Sequence, residues 1–101
     1  MIVAFSVAPS GADSVDADGG MSAAVAAAVR VVRESGVRSQ TTAMFTYLEG
    51  EWDEVMAVVK AATDAVAAIA PRVSLVLKAD IRPGFDDQLT AKVERVERHL
   101  E

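Results

Sequence analysis

The chain has no cysteine among its 101 residues. Disulfide scaffolds, thiolate metal sites and cysteine nucleophiles are therefore excluded, and the absence suits a reducing cytoplasm. Histidine occurs once, as His99 on a charged C-terminal segment. One imidazole makes no His-based metal site. A Ser-His-Asp triad would need His99 to fold back onto a sheet, with no motif in support. Positive charge is also scarce: 10 Lys and Arg stand against 15 Asp and Glu, a formal charge of −5. That balance argues against nucleic acid, whose phosphates require a basic footprint. It maintains solubility and is compatible with a cationic ligand. No apolar run approaches the roughly 18 residues of a membrane span. The opening MIVAFSVAPSG lacks a basic n-region and reads as a first strand rather than a signal peptide. The expected location is the cytoplasm, with no membrane partner.

What is present is a globular composition, 51% hydrophobic and 25% charged. The length suits a single domain, residues 1–101, large enough to fold without a metal or a disulfide. Residues 2–8, IVAFSVA, form an apolar strand that Pro9-Ser10-Gly11 should end. Residues 9–20, with a Gly19-Gly20 pair, read as a surface loop, and Ser22 is a candidate helix N-cap. Met21, Val25, Val29 and Val32 then recur at helical spacing up to Ser35, where Gly36 caps the helix.

Residues 37–42 and 45–49 read as two strands joined at Ala43-Met44, without the Asn-Gly or Asp-Gly of a tight hairpin. A second helix begins near Glu51 and stops before Pro71. Trp52, Val55, Met56, Val59, Ala62, Thr63 and Val66 share one of its faces, and Glu51, Asp53 and Glu54 suit the positive end of its dipole. Residues 72–80 form the last strand, with Val73, Leu75 and Leu77 on one side and Ser74, Val76 and Lys78 on the other. Arg82-Pro83-Gly84 is a turn. A third helix over about 86–100 carries Leu89, Val93, Val96 and Leu100 on one stripe.

The order β-α-β-β-α-β plus a terminal helix predicts an α+β fold, the ferredoxin-like sandwich. Its four-stranded antiparallel sheet has the spatial order 4-1-3-2. Both main helices cover one face. Ile2, Ala4, Ser74 and Val76 fall on the other, and a bare, partly apolar face predicts self-association. Strand edges add a second route.

Several residues of this pattern carry a family likeness. They are Met44-Phe45-Thr46, then Glu49-Gly50-Glu51 followed by Trp52 and an acidic helix opening, and a last strand running into a charged tail. With them the chain resembles the small ferredoxin-like thiamine-binding proteins, related to the YkoF-like superfamily. The resemblance runs from the first strand to the third helix. It implies non-catalytic binding of thiamine or its hydroxymethylpyrimidine part, no required cofactor, and assembly into dimers or tetramers through the sheets.

Thiamine joins a cationic thiazolium to an aminopyrimidine. A site for it needs negative charge, an aromatic or apolar wall, and a few donors and acceptors. Glu49 and Asp80 can supply the charge, Phe45, Tyr47 or Trp52 the wall, and Ser6 and Thr46 the hydrogen bonds. Each has an alternative. Glu49 also stands where it could cap the second helix. Trp52 opens an apolar stripe, which favours a core or interface role over a ligand contact. Lys78 either meets an anion or pairs with Glu49 or Asp80, and Asp80 with Arg82 suits a turn network. The topology places Ser6, Phe45 and Thr46 at one end of the sheet and Glu49, Trp52, Asp80 and Arg82 at the other. One chain does not gather both groups around one small molecule, so the site is expected at an interface between copies. Two other functions fit the fold: a small-substrate enzyme, for which only Glu49 and Asp80 offer a base, and a regulatory interaction domain.

Overall fold

The computed structural model describes residues 1–10 and 22–101. The elements there are β1 (Ile2–Ser10), α1 (Ser22–Glu34), β2 (Arg38–Thr41), β3 (Thr46–Glu49), α2 (Trp52–Ala67), β4 (Arg72–Asp80) and α3 (Gln88–Leu100). The strands make one sheet in the order β2-β3-β1-β4, antiparallel throughout. This is the ferredoxin-like α+β sandwich that the element order predicts, with α3 added.

β1 runs past its expected end. Pro9 and Ser10 continue the strand opposite Val73 and Arg72 of β4. The pairing of β1 with β3 stops at Phe5, so the later half of β1 has a sheet neighbour on one side only. An edge segment tolerates a residue without an N–H. The rest of the loop expected over 9–20 lies outside the described residues, as do Met21 and the side chain of Ser22.

One face of the sheet forms the core. Val3, Phe5 and Val7 of β1 and Leu48 of β3 meet Val55, Val58, Val59, Ala62 and Val66 of α2. The stripe on α1 differs from the expected one. Ala24, Ala28 and Val32 are buried, whereas Val25 is exposed and Val29 lies at the margin. The cause is the neighbour: α1 packs chiefly along α2. Two helices approach most closely where their contact residues are small, so the alanines take the seam and the bulkier valines turn outward. Trp52 is also not in the core, with 53% of its surface exposed. It lies in the first turn of α2 and borders the segment that follows β4, residues 81–86.

The β2–β3 hairpin closes without an Asn-Gly pair. The Thr42 hydroxyl donates to the carbonyl of Phe45 at 2.8 Å, and the Thr42 N–H reaches the same oxygen at 2.9 Å. A threonine side chain thus supplies the closure that a glycine turn would give. At the passage from β3 into α2 the backbone runs close to the helix: a Cβ on Gly50 would lie 3.2 Å from Val55 Cγ2. α1 ends on Gly36, whose φ of +78° is the left-handed conformation that a helix C-terminus favours.

Candidate functional site

β3 alternates, so Leu48 enters the core while Tyr47 and Glu49 face the opposite side. The register lines up two rows across that open face. One row is Gln40, Tyr47, Ala4 and Lys78; the other is Arg38, Glu49, Ile2 and Asp80. Ala4 is the short member of its row. It leaves a depression between Tyr47 and Lys78, with Ile2 beside it as an apolar floor. The start of α3 leans over this floor through Gln88, Leu89, Lys92 and Val93. Between helix and sheet lies an open cavity of about 420 Å³.

α3 is held there by Glu49. Its carboxylate accepts the N–H of Gln88 at 2.6 Å and that of Leu89 at 3.3 Å. These are two of the free donors that open a helix, and a negative charge also suits the helix dipole. The Glu49 side chain is only 8% exposed, and Arg38 Nη1 stands 3.6 Å from it. The same arginine pairs with Asp87 and donates to Thr90 Oγ1 at 2.5 Å. Asp87 occupies the N-cap position of α3 in a left-handed conformation, φ 59°, and makes no cap hydrogen bond of its own. Its carboxylate is turned to Arg38, which leaves the helix N–H groups to Glu49. The alternative that Glu49 caps α2 is therefore corrected: it caps α3, and Glu51 holds the N-cap position of α2 without a side-chain bond.

Asp80 faces the cavity from β4 and pairs with Lys92 of α3. That hydrogen bond, and then the charge of Lys92, hold the Asp80 carboxyl below its ordinary value, with help from Arg82 and Lys78. Lys78 also lines the cavity. The structure pairs Asp80 with Lys92 and Glu49 with Arg38, rather than either with Lys78.

The other expected residues lie elsewhere. Ser6, Phe45 and Thr46 gather at the far end of the sheet, in a smaller cleft of about 110 Å³ beside α1. Trp52 borders a third hollow with Arg82 and Phe85, where the guanidinium of Arg82 sits 3.6 Å from the ring centre of Phe85. The structure thus brings Lys78 and Asp80 together with Tyr47, sets Glu49 beside them under α3, and separates them from Ser6, Phe45, Thr46 and Trp52. Gln40 and Lys92 are cavity residues that the sequence reading missed. Strand alternation could have placed Gln40 opposite Tyr47; Lys92 has no comparable signal, because it depends on where α3 docks.

Among the described residues no group of His, Asp or Glu is arranged to hold a metal, and no helix is long and apolar enough to cross a membrane.

Fold and cavity define a small ferredoxin-like protein with one covered and one open sheet face. Within that class the chain belongs to the thiamine-binding protein family, whose pattern it matches over residues 3–97. It is 54% identical over 101 residues to the UPF0045 protein Mb1933 of Mycobacterium bovis, spanning 99% of this chain and 94% of that one. Its structure is similar to a domain of unknown function, DUF77, from Bacillus cereus, with a TM-score of 0.74, 31% identity, and 95% and 90% of the two chains covered. It is also similar to a Thermotoga maritima protein provisionally assigned to thiamine biosynthesis or salvage, with a TM-score of 0.73, 23% identity, and 97% and 96% covered. At that identity the likeness speaks for the fold alone.

Proposed function

We propose that the protein binds thiamine or a related hydroxymethylpyrimidine without turning it over, at a site shared between copies of the chain. The observation that carries this reading is the cavity on the open face, in a member of a family described as thiamine-binding. Ile2, Ala4, Leu89 and Val93 offer apolar walls, and the Tyr47 ring flanks a flat heterocycle. Gln40, Thr42 and Gln88 offer both donors and acceptors to an aminopyrimidine edge. Among the described residues Asp80 is the one acidic residue lining the cavity, and it meets a thiazolium by exchanging Lys92 for it. Glu49 supports the site indirectly, because it holds α3 in place as the roof. Ser6, Phe45 and Thr46 line a separate cleft and not this cavity in one chain, and a neighbouring copy is the means of supplying them.

Thermal shift with thiamine and with hydroxymethylpyrimidine tests the reading, because a ligand of the native state raises Tm by mass action. A saturable rise is expected, with Tyr47→Ala and Asp80→Asn each weakening binding by about tenfold or more, the scale of a lost charge-assisted contact. No rise with either compound at millimolar concentration overturns it.

A further inference from the structure

The cavity under α3 is charged against the trend of the chain. The sequence as a whole carries −5, yet the cavity is lined by two ammonium groups, Lys78 and Lys92, against the carboxylate of Asp80. A smaller hollow adjoins it, sharing Ile2, Asp80, Gln88 and Lys92, and adds Arg82 and Arg95. Among the described residues, four cations thus surround one carboxylate, in a chain with 15 acidic residues and 10 basic ones.

Two periodicities produce this cluster. Lys78 and Asp80 stand two apart on β4, opposite Ala4 and Ile2, and so share the open side of the sheet. Gln88, Lys92 and Arg95 recur at four and then three residues along α3, which puts them on one helix face. Lys92 pairs with Asp80, and Arg95 Nη2 donates to Gln88 Oε1 at 2.9 Å. Lys78 has no salt bridge among the described residues. The Asp80 carboxyl is held below its ordinary value by Lys92 first, then by Arg82 and Lys78, so all three cations bear on one point. Arg82 stacks its flat face on Phe85, which keeps the N–H edge of the guanidinium for hydrogen bonds.

We propose that the cavity takes its ligand as a phosphate monoester, hydroxymethylpyrimidine phosphate or thiamine monophosphate, with the phosphate held by Lys78 and Lys92. The inference rests on the reading of the cavity as a thiamine site and names the form of the ligand. Charge decides the form. A bare thiazolium enters a cavity that already has one net positive charge, and by taking Asp80 it leaves Lys92 without a counterion. A phosphate monoester brings about −1.5 to −2. In thiamine monophosphate the thiazolium takes Asp80 and the phosphate takes the ammonium that Asp80 releases, so each charge has a partner. In hydroxymethylpyrimidine phosphate, Lys92 has three donors and can bridge Asp80 and the phosphate, while Lys78 meets the phosphate alone.

Titration calorimetry in a phosphate-free buffer compares each alcohol with its ester: hydroxymethylpyrimidine with its phosphate, and thiamine with thiamine monophosphate. At least one ester is expected to bind about tenfold or more tighter than its alcohol, the scale of a charge-assisted contact. The pair that shows the gain identifies the ligand. Lys78→Gln and Lys92→Gln should each reduce the ratio of the two affinities, and the double variant should bring it near one. The ratio is the readout because a damaged cavity weakens both members of a pair alike; circular dichroism and Tm confirm that each variant is folded. Equal affinities within both pairs overturn the proposal and leave the thiamine reading standing. An advantage that survives in the double variant also overturns it, as does inorganic phosphate binding as tightly as the esters. Esters that bind where neither alcohol does sustain it and end the reading of the free compounds as ligands. Silence from every compound overturns both.

Discussion

Val3, Phe5 and Val7 face the helices and are buried, whereas Ile2, Ala4 and Ser6, each one residue away on the same strand, face outward and keep part of their surface. The covered face is filled by branched and aromatic side chains against α2. The open face is built from short residues, with Tyr47, Lys78 and Asp80 standing above them. Side chains on the first face interdigitate and complete themselves. Those on the second leave room, and only the start of α3 enters it. One strand therefore borders two surfaces, the packed core on one side and the open cavity on the other, and strand alternation keeps them apart.

Two substitutions set this contrast most sharply. Leu48→Ala, on the fully buried face, should cost about 3 kcal/mol of stability in denaturant unfolding. Ala4→Leu fills the floor of the cavity instead. It should change stability by less than about 0.5 kcal/mol while lowering thiamine affinity by about tenfold or more, the scale of one lost contact in a filled site. Should Ala4→Leu unfold the protein as Leu48→Ala does, the two faces are not divided in this way.

Glu49 belongs to the open side yet is nearly buried, so it should behave between the extremes. Glu49→Gln should destabilise α3 by about 1.5–3 kcal/mol, the scale of hydrogen bonds to a charged group. Amide exchange at Gln88 and Leu89 should speed up accordingly, while that of β1 holds. Equal acceleration in β1 would mean that α3 and the core open as one unit.

Trp52→Ala should cost less than about 1 kcal/mol, because half of the indole already lies in water. A core tryptophan would cost about 3–5 kcal/mol, which is the value the apolar stripe of α2 alone would suggest. The smallest effect belongs to acid. Asp80 has a lowered folded value because of Lys92. Its contribution is complete above the ordinary carboxylate range and fades as the pH falls through that lowered value. Since the pair is exposed, nuclear magnetic resonance of the Asp80 side chain should follow its loss with little change in Tm.

The strand order was legible because crossover rules leave few ways to arrange this succession of elements. The open face was legible from alternation, which put Ile2 and Ala4 opposite Val3 and Phe5. The buried stripe of α1 was not, because a reading by hydrophobicity ranks Val25 and Val29 above Ala24 and Ala28. What decides there is the closeness of α2, a property of two helices and not of one. The bond from Glu49 to α3 was invisible for a related reason. Its partners are 39 and 40 residues away, and the adjacent α2 offered a nearer helix to cap. Lys78 and Asp80 share the cavity because β4 lies beside β1, a neighbourhood that the element order does supply.

The bond between Glu49 and α3 also bears on the order of events in time. α3 has thirteen residues and buries little of its apolar stripe, with Val93, Val96 and Leu100 left exposed. A helix of that length is marginal by itself in water. Its anchor, Glu49, is set beside Arg38 by the pairing of β3 with β2. The hairpin is therefore expected to come before the helix on the folding route, with α3 joining last. Substitutions along α3 should accelerate unfolding and leave the folding rate almost unchanged, with φ-values near zero in stopped-flow measurements.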